Sequence, residues 1–167
     1  MQFRMNLFSP AEAASMSGAS TVLQREWRRR EIIPQNEPGT YARFDTRDVA
    51  RLLALKTFSS GEMSVASLGE AADEAAVRTM DMLVPLFRPS DWAEQRWPSG
   101  TPQDKRFVLI WGNQVMMAPH LDGLPGFLEQ FGRATRSPAV VVYDCLVAAQ
   151  RILDFAPRPV FVPEDRA

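Results

Sequence analysis

The sequence predicts an α+β chain, and three observations carry that prediction. Capping signals open two closely spaced helices before residue 31. Apolar positions at helical spacing dominate to about residue 87. After a proline-rich stretch, strand-like runs then alternate with a helical pattern. With 167 residues, 46% of them hydrophobic, the chain is long enough to bury a core as one domain or two small ones.

The first helix is expected from about residue 10 to 16. Ser9 is a capping residue, Pro10 suits the first turn, and Glu12 is spaced to close a capping box. Ser17-Gly18-Ala19-Ser20 ends it: Gly18 can take the left-handed conformation of a tight turn, and Ser20 caps a second helix over about 21–30. In that helix Leu23 and Trp27 form an apolar face. Thr21, Gln24, Arg25 and Arg28 form an outer one, of donors long enough to reach phosphates and base edges or simply to solvate a surface. Ile32-Ile33-Pro34 leaves in extended form, turn residues follow at 36–40, and Tyr41-Ala42-Arg43-Phe44 returns, which predicts a short hairpin. Asp45 caps a third helix with Val49, Leu52 and Leu53 inward and Arg47 and Arg51 outward. A fourth, about 64–87, carries Val65, Leu68, Ala72, Ala75, Met80, Leu83 and Phe87 at helical spacing and is ended by Pro85 and Pro89.

Charge is unevenly divided. Residues 1–60 hold nine Lys and Arg against six Asp and Glu, a net of +3, whereas residues 61–167 have a net of −4. The first part therefore attracts polyanions and the remainder repels them.

The order of elements and the residues at their joints resemble the DNA-binding domain of the mercury-resistance (MerR) regulator family over about residues 8–70. The family's aromatic opening and Ala-x-x-x-Gly-Val-Ser helix have their counterpart in Phe8 to Ser20. Its aromatic and basic helix end with a Leu-Leu/Ile-x-Pro exit is matched by Trp27-Arg28-Arg29-Arg30-Glu31-Ile32-Ile33-Pro34. Its Tyr-Arg-x-Tyr-x-x-x-Asp-Val junction is matched by Tyr41-Ala42-Arg43-Phe44-Asp45-Thr46-Arg47-Asp48-Val49, and a Gly-x-x-Ser step by Gly61 to Ser64.

The resemblance implies a winged helix-turn-helix, with the second helix in the major groove of duplex DNA, a wing over about 35–44 on the phosphate backbone, and a homodimer on a pseudo-palindromic site. The residues expected at the DNA are Ser20, Thr21, Gln24, Arg25, Arg28, Arg29, Tyr41, Arg43, Arg47 and Arg51, with Thr21 and Gln24 as base readers. Ala42 stands where the family has its first wing arginine. The family's metal ligands are absent, so neither metal nor cofactor is expected. A bacterial transcription regulator is the expected role. A phage-type excisionase or packaging adaptor, or a winged module reused for protein contacts, is the alternative.

Residues 64–105 read as a connecting or dimerising helix and a proline-rich linker, following a DNA-binding unit of residues 1–63. A small C-terminal α+β unit over 106–167 is expected to dimerise, bind an effector or contact RNA polymerase. In it, Phe107 to Trp111 and Gln114 to Ala118 predict a hairpin around Gly112-Asn113, 124–131 a short helix, about 138–154 a longer one, and 159–162 an edge strand. It has no phosphate loop or nucleophile elbow, which argues against an enzyme. His120 beside Asp122 reads as a surface pair rather than an acid-base couple. Trp111 reads as core, while Trp92 and Trp97 are left open between a pocket and a partner surface.

The lone Cys145 cannot form an internal disulfide and reads as a small buried thiol in a reducing compartment. No stretch approaches the roughly 18 apolar residues of a membrane span, so a cytoplasmic location is expected.

Overall fold

The structure, a computed structural model, describes residues 3–35, 39–59, 68–87, 106–111, 114–126, 128–129 and 140–163. It is α+β. The elements run β1 (Phe3–Met5), α1 (Pro10–Ser17), α2 (Thr21–Arg29), α3 (Thr46–Ser59), α4 (Gly69–Phe87), β2 (Phe107–Trp111), β3 (Gln114–Ala118), β4 (Val141–Asp144), α5 (Cys145–Phe155) and β5 (Phe161–Pro163). Strands β3, β2 and β4 form an antiparallel sheet with β2 in the middle, and β1 pairs antiparallel with β5.

Local chemistry fixes the helix starts. The Ser9 hydroxyl accepts from the Glu12 amide while the Glu12 carboxylate accepts from the Ser9 amide, the reciprocal box expected at α1. Gly18, at φ 75°, closes α1 in the left-handed region, and Ser20 accepts from the Leu23 amide at the start of α2. Asp45 and Asp48 exchange the same pair of bonds at α3. Such caps contribute about 1 kcal/mol each.

Three elements differ from expectation. No strand forms over 32–35 or 39–43; the extended partner of Phe44 is instead Phe8, with backbone bonds of 2.7 and 2.9 Å in both directions. Residues 36–38, the tip of the expected wing, lie outside the described residues. Helix α4 starts at Gly69 and carries Pro85 inside its last turn rather than ending at it. The expected 64–67 start, like Trp92, Trp97 and most of the proline-rich stretch, lies outside the described residues. The segment expected as one helix from 138 divides into β4 and α5, because Val141 and Val142 pair with Ile110 and Leu109 before the Asp144 side chain caps the helix. The β2–β3 hairpin has the expected register, Trp111 opposite Gln114, and helical geometry covers 124–126.

One buried cluster runs through both halves of the chain, from Phe8, Met16, Trp27, Leu52 and Phe58 to Leu83, Ile110, Tyr143, Ile152 and Val160. The apolar face of α4, buried at Ala71, Ala72, Ala75, Ala76, Thr79, Met82 and Leu83, packs on α3 and α5 within the same chain. The Phe58 and Tyr143 rings meet edge-on at 5.4 Å, and Phe87 contacts Phe3 and Phe161 likewise at 6.4 and 5.2 Å. Cys145 is buried beside Thr79, and burial pushes its thiol up to about 12. Among the described residues no helix is long and apolar enough to cross a membrane.

The C-terminal segment grips α1 at both ends. Arg151 donates to the Met16 carbonyl at 3.1 Å, near the negative end of the helix dipole. Arg158 lies over the Phe8 ring and donates to both Glu12 oxygens at 2.6 and 3.0 Å and to the Leu7 carbonyl at 2.7 Å. The Ser9 amide, followed by Arg158 and the Ser9 hydroxyl, lowers the Glu12 carboxyl from 4.5 to about 2. A depressed folded value means that the unfolded chain binds the proton first as acid is added. Stability from Glu12 is therefore complete above about pH 4.5 and lost as pH falls towards about 2. Glu12→Gln should lower stability at neutral pH and flatten the unfolding free energy across that window relative to the unmodified chain. Urea unfolding at a series of pH values checks this, and parallel curves would remove Glu12 from the acid response.

Candidate nucleic-acid interface

Helix α2 presents its outer side around an open groove of about 670 Å³. Thr21, Gln24, Arg25, Arg28 and Arg29 line it from the helix, Pro10 from the start of α1, and Gln35 and Ala42 from the segment that follows. Three of the five helix residues carry guanidinium groups, so the groove favours an anionic occupant.

The ten residues expected at the site divide into three groups. Thr21, Arg25, Arg43, Arg47 and Tyr41 retain exposed or half-exposed side chains, Tyr41 at 91%. Ser20 is exposed and occupied by its cap, while Arg28 and Arg29 face the groove with partners of their own. Arg28 stacks over the Phe44 ring at 4.8 Å; burial pushes its guanidinium down, and Asp48 pulls it back up. Its Nε is buried without a hydrogen-bond partner among the described residues. Gln35 donates to the Arg28 carbonyl, which brings the outgoing chain against the helix. Arg29 holds Glu26 through bonds of 3.0 and 2.8 Å on the exposed surface.

Gln24 and Arg51 correct the reading made from sequence. Gln24 is fully buried, and its amide nitrogen donates to the Pro10 carbonyl at 3.0 Å and the Ala19 carbonyl at 2.8 Å. It fastens α2 to α1 and is not displayed on the exposed face where a base reader is expected. Arg51 is turned inward, donating to Asp73 of α4 at 2.5 Å and to the Ile32 carbonyl at 2.9 Å. It ties α3 to α4 and to the exit of α2, so its charge is not displayed with that of Arg47. Asp48, in the first turn of α3, is held above the ordinary carboxyl value by burial and then by Asp45.

The structure also shows a residue that helical spacing did not single out. Val22 is 70% exposed on the first turn of α2. His120 and Asp122 are exposed in the loop after β3.

No protein-family model matches the chain, and no curated protein matches it.

Helix α2 ends with Glu31 at φ 58°, where the Ile32 amide bonds to the Trp27 carbonyl and the Glu31 amide to the Arg28 carbonyl. This is the double-bonded helix ending that glycine ordinarily occupies. Glu31→Gly should raise stability by about 1 kcal/mol, since a side chain in the left-handed region costs roughly that much. Gln24→Ala should lower stability by about 2–3 kcal/mol by leaving buried carbonyls short of donors and opening a void. Urea unfolding measures both. A Gln24 variant of unchanged stability would restore the residue to an exposed, base-reading role.

Proposed function

We propose that this protein is a sequence-specific DNA-binding transcription regulator that lays α2 in the major groove of duplex DNA. The observation that carries the reading is the arginine-lined groove on α2, together with the exposed Arg43 and Arg47, within the part of the chain whose net charge is +3. Arg25, Arg28 and Arg43 supply phosphate contacts, and Arg47 extends them from the first turn of α3. Phosphate contacts of this kind set register and affinity, while the outer side chains of α2 face the bases. The resemblance of residues 8–70 to mercury-resistance regulators supports the same role, as does the pairing of Phe8 with Phe44, which brings Phe44 beside the start of α1.

Binding as a homodimer on a two-fold-related site belongs to this proposal. The apolar stripe of α4 is covered within the chain, so the pairing surface lies elsewhere than in that stripe. The C-terminal unit is proposed to contact an effector or RNA polymerase. A protein-interaction module is the second reading, favoured by Ala42 on the groove wall and by the Glu26 charge beside Arg29.

Retention of randomised duplexes by the purified full-length chain, at near-physiological and higher salt, tests the proposal. Enrichment of a two-fold-related motif is expected. Arg25→Ala and Arg43→Ala should each weaken all sequences alike and flatten the salt dependence by about one unit of slope. Absence of enrichment at either salt overturns the DNA reading in favour of the interaction module.

A further inference from the structure

The direction in which α2 points is fixed by what it buries. Gln24 and Trp27 are 0% and 1% exposed and mark its inward line. At about 100° per residue the opposite line passes through Val22 and Arg29, flanked by Arg25 and Glu26. Arg29 and Glu26 hold each other on the second turn at 2.8 Å. The outermost side chain of the first turn is therefore Val22, an apolar residue 70% exposed two positions after the Ser20 cap.

A single exposed valine has no meaning by itself. Its position gives it one, because a helix seated in a major groove with its buried side facing away sets this outer line against the floor of the groove. Valine can neither donate nor accept a hydrogen bond, and its branched Cβ restricts χ1 so that its two methyl groups project in fixed directions. Of the base edges displayed in the major groove, thymine alone carries a methyl group; cytosine shows a donor and purines show acceptors at N7. Covering a polar edge with valine leaves that edge unpaired, whereas covering the thymine methyl removes two apolar surfaces from water.

From this placement we infer that Val22 is a specificity-determining residue that selects thymine through its 5-methyl group. The inference rests on the DNA-binding reading above and assigns its base contact to a different side chain from the buried Gln24.

Duplexes enriched by the full-length chain supply the probe. Each thymine of the enriched motif is replaced in turn by deoxyuridine, which removes the 5-methyl group and preserves Watson–Crick pairing. At one position in each half-site the loss should weaken binding about fourfold, the scale of burying one methyl group. Val22→Ser should bind thymine and deoxyuridine equally at that position while keeping the salt dependence and the other base preferences. If every deoxyuridine is tolerated, or if Val22→Ser discriminates as the unmodified chain does, the inference is wrong although DNA binding stands. If no duplex is enriched at all, the DNA reading fails and the inference fails with it.

Discussion

Helices α1 and α2 contain eight and nine residues, lengths at which an isolated helix is marginal in water, and much of the molecule is organised around that constraint. Caps satisfy the end groups but do not decide where the helices lie. Placement comes from distant partners: Phe44 bridges to Phe8 before α1, Arg158 closes on Glu12 in its first turn, and Arg151 reaches the Met16 carbonyl in its last. Gln24 then transfers the position of α1 to α2 by donating to the Pro10 and Ala19 carbonyls. The face offered to solvent by α2 is thus defined by residues near opposite ends of the chain.

The same contacts sort the positive charge. Arg51 is engaged by Asp73 and the Ile32 carbonyl, and Arg28 is half-buried over Phe44, where it shapes the groove as well as charging it. Arg25, Arg43 and Arg47 form no ion pair among the described residues and keep their charge in water. The Glu26–Arg29 pair lies between these cases. An exposed pair contributes little to stability, so diverting Arg29 to a phosphate has a small cost, while Glu26 left unpaired repels the same phosphate. In the proposed DNA complex the pair would limit affinity for arbitrary backbone and give greater weight to the first turn, where Thr21 and Val22 stand.

What could be read from the sequence follows from how far each determinant reaches. The capping signals at Ser9, Ser20 and Asp45 and the left-handed Gly18 depend on neighbours within three or four residues, and all were legible. The β2–β3 register was legible too, because its two strands sit either side of a two-residue connection. Gln24 was misread because a polar residue next to Arg25 looks exposed unless one knows that two carbonyls of the preceding helix and turn lie within reach. Arg51 was misread for the same reason, its partner Asp73 being on another helix. The division of the 138–154 segment depended on β2 as a pairing partner for Val141 and Val142, which outweighs the helical spacing that follows them. β5 overlaps the edge strand expected over 159–162, but β1 and its pairing with β5 left no local signal.

These long-range contacts also bear on how the C-terminal half relates to the helices before it. Tyr143 on β4 meets Phe58 on α3, α5 packs against α4 and α1, and Val160 receives hydrogen bonds from the Asn6 amide and the Thr46 hydroxyl. The chain from Asp144 to Pro163 accordingly touches α1 at its start and finish and α3 at its first turn. A ligand or partner that shifts this segment must alter the support of α1, and through Gln24 the support of α2. Close packing makes such a shift discrete rather than graded, because side chains already interdigitated can move only by exchanging one set of contacts for another. The common core is thus the route by which a change in one half would reach the other.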